Sequence, residues 1–370
     1  MLIKVAICNS YLCRLSLLFH SLALPLHHQK DIDGNMENQY AVQFPNIMEG
    51  KKILYVHGFA SSGQSGTVLK LREMLPSASI VAPDLPLHPE EAVDLLHKTC
   101  QEEKPDLIIG TSMGGMYAEM LYGYDRILVN PAFQMGETMG KHGHIGKNTF
   151  LNPRQDGVQD FIVTKAMVEE YKDITTRCFA HVTEEEAKER VYGLFGDEDP
   201  LVHTYGLFAQ HYRNAISFHG EHRMNDKVLL HSVIPVIRWI DDRQQQRERP
   251  IIYIGINALR NERGEQRPSA MKALRYLLEF YSIYIVANAP SCSPTYMQEV
   301  MLWVQDIVNV PAWNHIVFTN RKDLIYGDYL IDPLTDADTS GFMGTAIDFG
   351  SDTFKTWDDI IEYFSRLGGQ

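Results

Sequence analysis

Asp106 to Ala118 reads DLIIGTSMGGMYA, which is a short apolar strand, a tight turn of the form G-x-S-x-G, and the start of a helix. A serine in such a turn lies on a strained corner with its hydroxyl exposed above a sheet. Glycine is needed at Gly110 and Gly114 because a side chain at either position would clash in so sharp a turn. The stretch therefore predicts an α/β sheet with Ser112 as the candidate nucleophile. The pattern fixes only three of five positions, so the rest of the chain must supply the context.

Apolar strands alternate with helices on both sides of this turn, which is typical of a parallel sheet covered on both faces. Strands are predicted at residues 53–56, 79–82, 107–109, 127–129, 191–195 and 216–218, and helices at 68–75, 90–100 and 227–240. The alternation breaks between residues 132 and 189. We expect that segment to be an insertion that forms a lid over the carboxyl edge of the sheet.

An activated serine needs a base and a carboxylate, which follow a hydrolase serine in the order Asp or Glu, then His. Asp199 lies three residues past Gly196, after a predicted strand, and Asp197 competes with it for the role. His222 follows the next strand. A neutral imidazole can take the proton of Ser112, and the carboxylate would hold the imidazole in the correct tautomer. These three residues form the predicted catalytic triad.

Ester cleavage also needs backbone N–H donors for the oxyanion. One donor is expected at Met113, the residue after the nucleophile. The other is expected in the loop after His57 and Gly58, from Phe59 or from Ala60.

Residues 51 to about 240 resemble the YqiA-like esterase family of the α/β-hydrolase superfamily. The matching stretches are ILYVHGFASSGQSGT, VAPDLP, PDLIIGTSMGGMYA, VNPA, YGLFGDEDPLV and FHGEHRM. The resemblance implies a serine hydrolase that cleaves short-chain acyl esters or thioesters through an acyl-enzyme, with Ser112, Asp199 and His222 as the triad. It implies no cofactor and no metal.

A second α/β unit begins with the apolar strand at residues 251–254, followed by a helix at 271–281 and strands at 283–286, 316–318 and 329–331. Its stretches IIYIGINAL, SIYIVANAPS, NHIVFTNRKDLIYGDYLIDPLTDA and TWDDIIEYF resemble the 5′-deoxyribonucleotidase branch of the haloacid dehalogenase-like phosphatases. In that family the first strand ends in D-x-D, and the first Asp attacks phosphorus.

The D-x-D positions here hold Gly255 and Asn257, so the attacking carboxylate is missing and an amide cannot shuttle a proton. Lys322, Asp328 and Asp332 are retained. The two aspartates serve either in ligand binding or as turn and helix-cap acids. We expect a degenerate phosphatase domain.

The bulk composition limits the partners of the chain. It has 370 residues, a net charge of −13 and five scattered cysteines without a C-x-x-C pair. Two domains are the natural expectation at this length. The negative charge disfavours nucleic acid and anionic membranes as partners, and the cysteines favour a reducing compartment. We therefore predict a cytoplasmic protein with a small-molecule ester or thioester substrate.

The first 47 residues form a leader, either disordered or lying upstream of the true start at Met36 or Met48. Its apolar run at 15–26 is too short to span a membrane, but it resembles a signal peptide, so secretion stays an alternative. The predicted division is the leader at 1–47, an α/β-hydrolase domain at 48–242 with its lid at about 132–189, a linker at 243–250, and a nucleotidase-like domain at 251–370. The alternatives to a hydrolase are a ligand-binding or regulatory protein and a nucleotide phosphatase acting through the second domain.

Overall fold

The computed structural model describes residues 46–141, 145–289, 293–308, 315–333 and 341–367. The predicted leader lies outside these residues except for its last two. A six-stranded sheet comes first, and its strands are β1 Lys52–Val56, β2 Ser79–Val81, β3 Leu107–Thr111, β4 Arg126–Val129, β7 Val191–Gly196 and β8 Asn214–Phe218. All neighbouring pairs are parallel, in the order β2-β1-β3-β4-β7-β8.

The strands of this sheet are apolar on both faces because helices cover both. In β3, Ile108 packs into one core layer, while Leu107 and Ile109 pack into the opposite layer. The helices of this region are α1 Gly66–Met74, α2 Pro89–Glu103, α3 Met113–Glu119, α4 Met135–Lys141, α5 Lys165–Thr175, α6 Tyr205–Phe208, α7 Asp226–Val228 and α8 Ile234–Gln244, with π-helical turns at Glu186–Arg190 and Leu229–Val233. Burial of both strand faces explains the unbroken apolar runs in the sequence.

Between β4 and β7 the chain leaves the parallel pattern. This segment contains α4, α5 and an antiparallel hairpin formed by β5 Gly146–Thr149 and β6 Asp160–Val163. The hairpin side chains Phe161 and Val163 are buried in the same core layer as Met113, so the segment packs beside the predicted nucleophile.

The helix predicted at residues 227–240 is longer than expected. It runs as α7, a π-helical turn and α8 to Gln244, into the start of the polar stretch. Asp241 is buried there, and its carboxylate accepts a hydrogen bond from the ammonium of Lys51 at 2.6 Å. The ion pair offsets the cost of burying the carboxylate.

A five-stranded parallel sheet follows, in the order β11-β10-β9-β12-β13. Its strands are β9 Ile251–Gly255, β10 Ser282–Ala287, β11 Ile316–Phe318, β12 Tyr329–Asp332 and β13 Thr345–Asp348, and its helices are α9 Ile256–Leu259, α10 Ala270–Phe280, α11 Pro294–Ile307 and α12 Trp357–Arg366. The predicted α/β class, with one parallel sheet followed by a second, smaller parallel sheet, is confirmed. Strand β13 was not predicted, because its four residues, Thr-Ala-Ile-Asp, carry little apolar signal.

The second sheet region packs against the helix that closes the first. The imidazole of His315 lies between the rings of Trp239 in α8 and Tyr284 in β10, at centroid distances of 4.5 and 4.7 Å. The guanidinium of Arg238 donates to the carbonyl of Leu278 and to the carboxylate of Glu279. Within the described part of the chain, no helix combines the length and apolarity needed to cross a membrane.

Candidate active site

Ser112 lies at the corner between β3 and α3 with φ 54° and ψ −121°. This conformation is uncommon for a residue with a side chain and is held only where the surroundings enforce it. A Cβ on Gly114 would lie 2.0 Å from the carbonyl oxygen of Val56, and one on Gly110 would lie 2.4 Å from that of Gly114. The glycines therefore let the strand and helix approach closely enough to form the corner.

A chain of hydrogen bonds starts at Ser112. Its Oγ lies 3.0 Å from Nε2 of His222, and Nδ1 of His222 lies 2.7 Å from Oδ2 of Asp199. The Asp199 carboxylate can only accept, so Nδ1–H donates to it and Nε2 is left to accept the proton of the Ser112 hydroxyl. The structure thus brings together the three residues predicted as a triad, with the imidazole oriented to take that proton.

Asp199 is buried, and each of its oxygens accepts hydrogen bonds. Oδ2 accepts from His222, while Oδ1 accepts from the backbone N–H groups of Leu201 and Val202 at 2.8 and 3.1 Å. Burial by itself would raise the pKa of Asp199, but the bonds from His222 and the two backbone groups outweigh it and lower the pKa below its usual value. The carboxylate therefore stays ionised beside the imidazole.

Asp197, the competing carboxylate, points elsewhere. It is exposed, and its oxygens face the backbone N–H of Gly220 at 3.1 Å and the ring of His219 at 3.4 Å. Of the two aspartates, only Asp199 forms the hydrogen bond to His222 in the described structure.

The predicted oxyanion donors belong to two segments of the chain, one at the start of α3 and one in the loop after β1. Met113 is the first residue of α3, so its N–H has no acceptor within the helix. Phe59 and Ala60 follow Gly58, where an added Cβ would lie 3.3 Å from Cβ of Ser112. Ala60 has a positive φ of 57°, which turns the loop at this point. Met113 is thus adjacent to Ser112 in the chain, and the loop that carries Phe59 and Ala60 follows a glycine that lies close to Ser112.

His57 is a residue of this site whose role the sequence analysis missed. Its Nδ1 lies 2.9 Å from the carbonyl oxygen of Gly58, and its Nε2 accepts from the backbone N–H of Leu85 at 3.0 Å. Burial lowers the pKa of His57, and only the neutral ring can donate and accept in this way. The ring thereby ties the Phe59–Ala60 loop to the loop after β2. The feature of the sequence that could have indicated this role is the His-Gly pair directly after the first strand.

The segment between β5 and β6 also holds this loop. The N–H of Leu151 donates to the carbonyl of Ala60 at 2.7 Å, and the hydroxyl of Ser62 donates to the carbonyl of Pro153 at 2.6 Å. The Phe59 ring packs edge-on against Phe161 at 5.6 Å. These contacts join residues 91 to 102 positions apart in the chain, so no local pattern could predict them.

Residues 52–228, just under half of the chain, match the model of the uncharacterised protein family UPF0227. We refer to residues 52–228 below as the UPF0227 domain, after the family model that they match. The match confirms the resemblance to YqiA-like esterases and covers every predicted residue of the candidate active site.

Some solved structures are similar to about half of this chain at low identity. A monoacylglycerol lipase of Paleococcus ferrophilus is 17% identical with a TM-score of 0.38, over 52% of this chain and 94% of that one. The thioesterase domain from the curacin biosynthetic pathway is 15% identical with a TM-score of 0.34, over 51% and 90%.

The second sheet lies outside the UPF0227 domain, and different side chains stand at its carboxyl edge. Gly255 ends β9, and a Cβ there would lie 2.0 Å from Oδ1 of Asp332, so the Asp332 carboxylate fills the space beside the glycine. Oδ2 of Asp332 accepts from the ammonium of Lys322 at 2.6 Å, and both side chains are buried. No group of three or more His, Cys, Asp or Glu side chains suited to a metal ion occurs among the described residues.

Asp328 corrects one expectation. The resemblance to phosphatases predicts Asp328 as a retained residue of the phosphatase site. In the structure, its Oδ2 accepts a hydrogen bond from the backbone N–H of Ile251, the first residue of β9, at 2.7 Å. It therefore lies at the amino edge of the sheet, opposite Gly255 and Asp332. This bond favours the structural interpretation of Asp328 over the ligand-binding one.

Curated relatives carry the printed name "Putative 5′(3′)-deoxyribonucleotidase". One from Vibrio phage KVP40 is 32% identical over 96 residues, which is 26% of this chain and 56% of the relative. One from Staphylococcus aureus strain Mu50 is 31% identical over 106 residues, 26% of this chain and 58% of the relative. The chain thus spans somewhat more than half the length of these relatives. The named relatives agree with the resemblance of the second unit to deoxyribonucleotidases.

Proposed function

We propose that this protein is a serine hydrolase that cleaves short-chain acyl esters or thioesters, with Ser112 as nucleophile. The observation that carries the proposal is the hydrogen-bonded series of Ser112, His222 and Asp199 at a strained strand-to-helix corner. We assign Asp199, not Asp197, as the third member. The esterase, lipase and thioesterase names among similar structures are compatible with this class of reaction.

In the proposed reaction, Nε2 of His222 takes the hydroxyl proton as Oγ of Ser112 attacks the carbonyl carbon of the ester. The negative charge that develops on the carbonyl oxygen is stabilised by the N–H of Met113 and that of Phe59 or Ala60. Asp199 stabilises the imidazolium without taking its proton. His222 then protonates the departing alcohol or thiol, which leaves an acyl group on Ser112.

Deacylation repeats these steps with water in place of the serine. His222 takes a proton from the water, the resulting hydroxide attacks the acyl carbonyl, and Ser112 departs with the proton returned by His222. Each step uses only side chains and backbone groups of the UPF0227 domain. The mechanism therefore requires neither a metal nor a cofactor.

We further propose that residues 132–189 act as a lid and that the second α/β region, beginning at residue 251, is not a phosphatase. The lid role rests on the contacts of Leu151 and Pro153 with the Ala60–Ser62 loop. The loss of phosphatase chemistry rests on Gly255, because glycine offers no carboxylate and Asp332 occupies the neighbouring space. A nucleotidase remains the weaker candidate for this reason, and we favour a binding or supporting role for the second region.

The deciding experiment compares the wild-type protein with Ser112→Ala and with Ser217→Ala, which removes an exposed hydroxyl from β8. Hydrolysis of p-nitrophenyl acetate and butyrate should fall by at least about 10³-fold in Ser112→Ala and stay unchanged in Ser217→Ala. A fluorophosphonate probe should label Ser112 in the wild type, since only an activated serine reacts. Equal rates in all three proteins, or no labelling of Ser112, would overturn the proposal.

A further inference from the structure

Asn130 directly follows β4, at the sheet edge where Ser112, Asp199 and His222 meet. Its side chain is 2% exposed, and every polar atom of the amide has a backbone partner within this edge. Oδ1 accepts from the N–H of Gly196 at 2.8 Å. Nδ2 donates to the carbonyl oxygens of Glu221 and His222 at 3.1 and 3.0 Å. One short side chain thus contacts the loop that carries the carboxylate and the loop that carries the base.

The backbone around Asn130 contacts the nucleophile as well. The carbonyl of Val129 accepts from the N–H of Ser112 at 2.9 Å, and the N–H of Ala132 donates to the carbonyl of Ser112 at 3.0 Å. Residues 129–132 therefore hold the backbone of the serine on both sides. The segment that fixes the nucleophile also carries the amide that reaches the other two loops.

We propose that Asn130 is a positioning residue that sets the base His222 and the loop of Asp199 at their working distances from Ser112. This inference rests on the proposed serine hydrolase function and deepens it. Asn130 does not touch the reacting atoms. It acts by holding the peptide group of His222, whose orientation determines where the imidazole points.

The chemistry of the position explains why asparagine stands there. The site needs one acceptor for Gly196 and two donor hydrogens for Glu221 and His222, and only a side-chain amide supplies both. The residue also has a φ of 45°, a left-handed conformation in which Asn is several-fold enriched over other residues with side chains. Because the amide is buried, each of its hydrogen bonds must be made within the protein.

The contact with His222 is separate from the bonds that already link the two loops. The N–H of Glu198 donates to the carbonyl of Gly220, and that of Asp197 donates to Phe218, both at 3.0 Å. These bonds connect the two loops as far along the chain as Gly220. Among the described residues, the donor to the carbonyl of His222 itself is Asn130. Its loss should therefore leave the loops folded while releasing the base.

The test uses Asn130→Asp, which keeps the size of the side chain and an acceptor for Gly196 but removes both donor hydrogens. Its control is Asn214→Asp. Asn214 is also a buried asparagine whose Nδ2 donates to two backbone carbonyls, of Lys188 and Val191, but it begins β8 and so lies at the opposite edge of the sheet. Both variants lose two comparable hydrogen bonds, so a general loss of stability affects them alike.

We expect Asn130→Asp to lower kcat for p-nitrophenyl butyrate by about 10- to 100-fold per active site, with KM within about threefold, because misplacing a catalytic group by about 1 Å costs that much. Fluorophosphonate labelling of Ser112 should slow by a similar factor. Asn214→Asp should keep the wild-type kcat. Normal kcat and labelling in folded Asn130→Asp, or an equal kcat loss in Asn214→Asp, would overturn the inference.

Asn130→Gly covers the case in which Asn130→Asp does not fold. Glycine tolerates the positive φ, and it removes all three side-chain bonds without introducing a charge. A folded glycine variant with the same kcat loss supports the positioning role, and one with normal kcat contradicts it. Failure of the wild type to label at Ser112 would instead count against the proposed function.

Discussion

The two parallel sheets of this protein end in contrasting carboxyl edges. The first edge holds a serine, an imidazole and an ionised carboxylate in hydrogen-bonding series. At the second edge, Gly255 stands where the resemblance to phosphatases predicts an attacking Asp, and the neighbouring carboxylate, Asp332, accepts a hydrogen bond from Lys322. The comparison shows that two parallel sheets can both place side chains at their carboxyl edges although only one of them carries the groups that a reaction needs.

The contrast also separates two uses of a buried carboxylate. At the first edge, Asp199 is bonded to the imidazole of His222, whose other nitrogen faces Ser112. The bond therefore orients the imidazole toward the serine. At the second edge, the partner of Asp332 is a buried ammonium, and the pair fills the space beside Gly255. Changes at the first edge should therefore affect rate, and changes at the second edge should affect stability.

The largest expected effect is that of Asp199→Asn. An amide would favour the wrong tautomer of His222, so kcat for p-nitrophenyl butyrate should fall by about 10³- to 10⁴-fold at neutral pH, while the protein stays folded. Asp197→Asn is the matched control and should change kcat by less than about threefold, because Asp197 is exposed and bonded away from His222. Equal losses in the two variants would mean that the assignment of Asp199 is wrong.

Asp332→Asn tests the second edge by the same chemical change. It replaces the carboxylate that pairs with the buried ammonium of Lys322 by a neutral amide, and breaking a buried ion pair costs about 3 to 5 kcal/mol of unfolding free energy. Urea denaturation should report that loss, and kcat of the folded fraction should be unchanged. A folded variant with strongly reduced esterase activity would show that the second edge takes part in the reaction.

Gly255→Asp places a carboxylate where the phosphatase family has one. We expect no phosphate release from deoxynucleoside monophosphates with Mg²⁺, because the new side chain would collide with Asp332 and repel its charge. The unfolding free energy should fall by about 1 to 3 kcal/mol from overpacking. Phosphate release above that of the wild type would show that the site lacks only its nucleophile.

The smallest expected effect concerns His315, which lies between Trp239 and Tyr284 where the two regions pack together. Burial lowers the pKa of His315 to about 3, and its Nδ1 has no partner among the described residues. The unfolded chain binds a proton below about pH 6.5 that the folded protein does not. This group therefore contributes its full stability above pH 6.5 and loses about 1.4 kcal/mol per pH unit between there and pH 3.

His315→Phe keeps a flat ring in the stack but cannot be protonated. Between pH 7 and pH 5.5, its unfolding free energy should fall by about 1 kcal/mol less than that of the wild type, measured by urea denaturation at each pH. His97→Gln, a change at an exposed histidine of α2, should leave the wild-type slope unaltered. A slope in His315→Phe equal to that of the wild type would contradict the burial argument.

Much of the first sheet and its site could be predicted from local patterns. The corner at Ser112 has its own glycine spacing, and Asp199 and His222 each follow a strand in the expected order. The second sheet was also predicted, except for β13. What local patterns could not supply were contacts between distant loops. Asn130, His57 and the Leu151 segment all act through bonds to backbone groups, which any residue type can offer.

By itself, the sequence determined which reactive groups are present: a serine on a forced corner in the first region, and glycine in place of a nucleophile in the second. Only the tertiary structure placed Asp199, and not Asp197, against His222, put Asp328 at the amino edge, and set Asp332 against Gly255. The reason is separation along the chain. Ser112 and His222 are 110 positions apart, so their meeting depends on the order and register of the strands, which no short stretch of residues encodes.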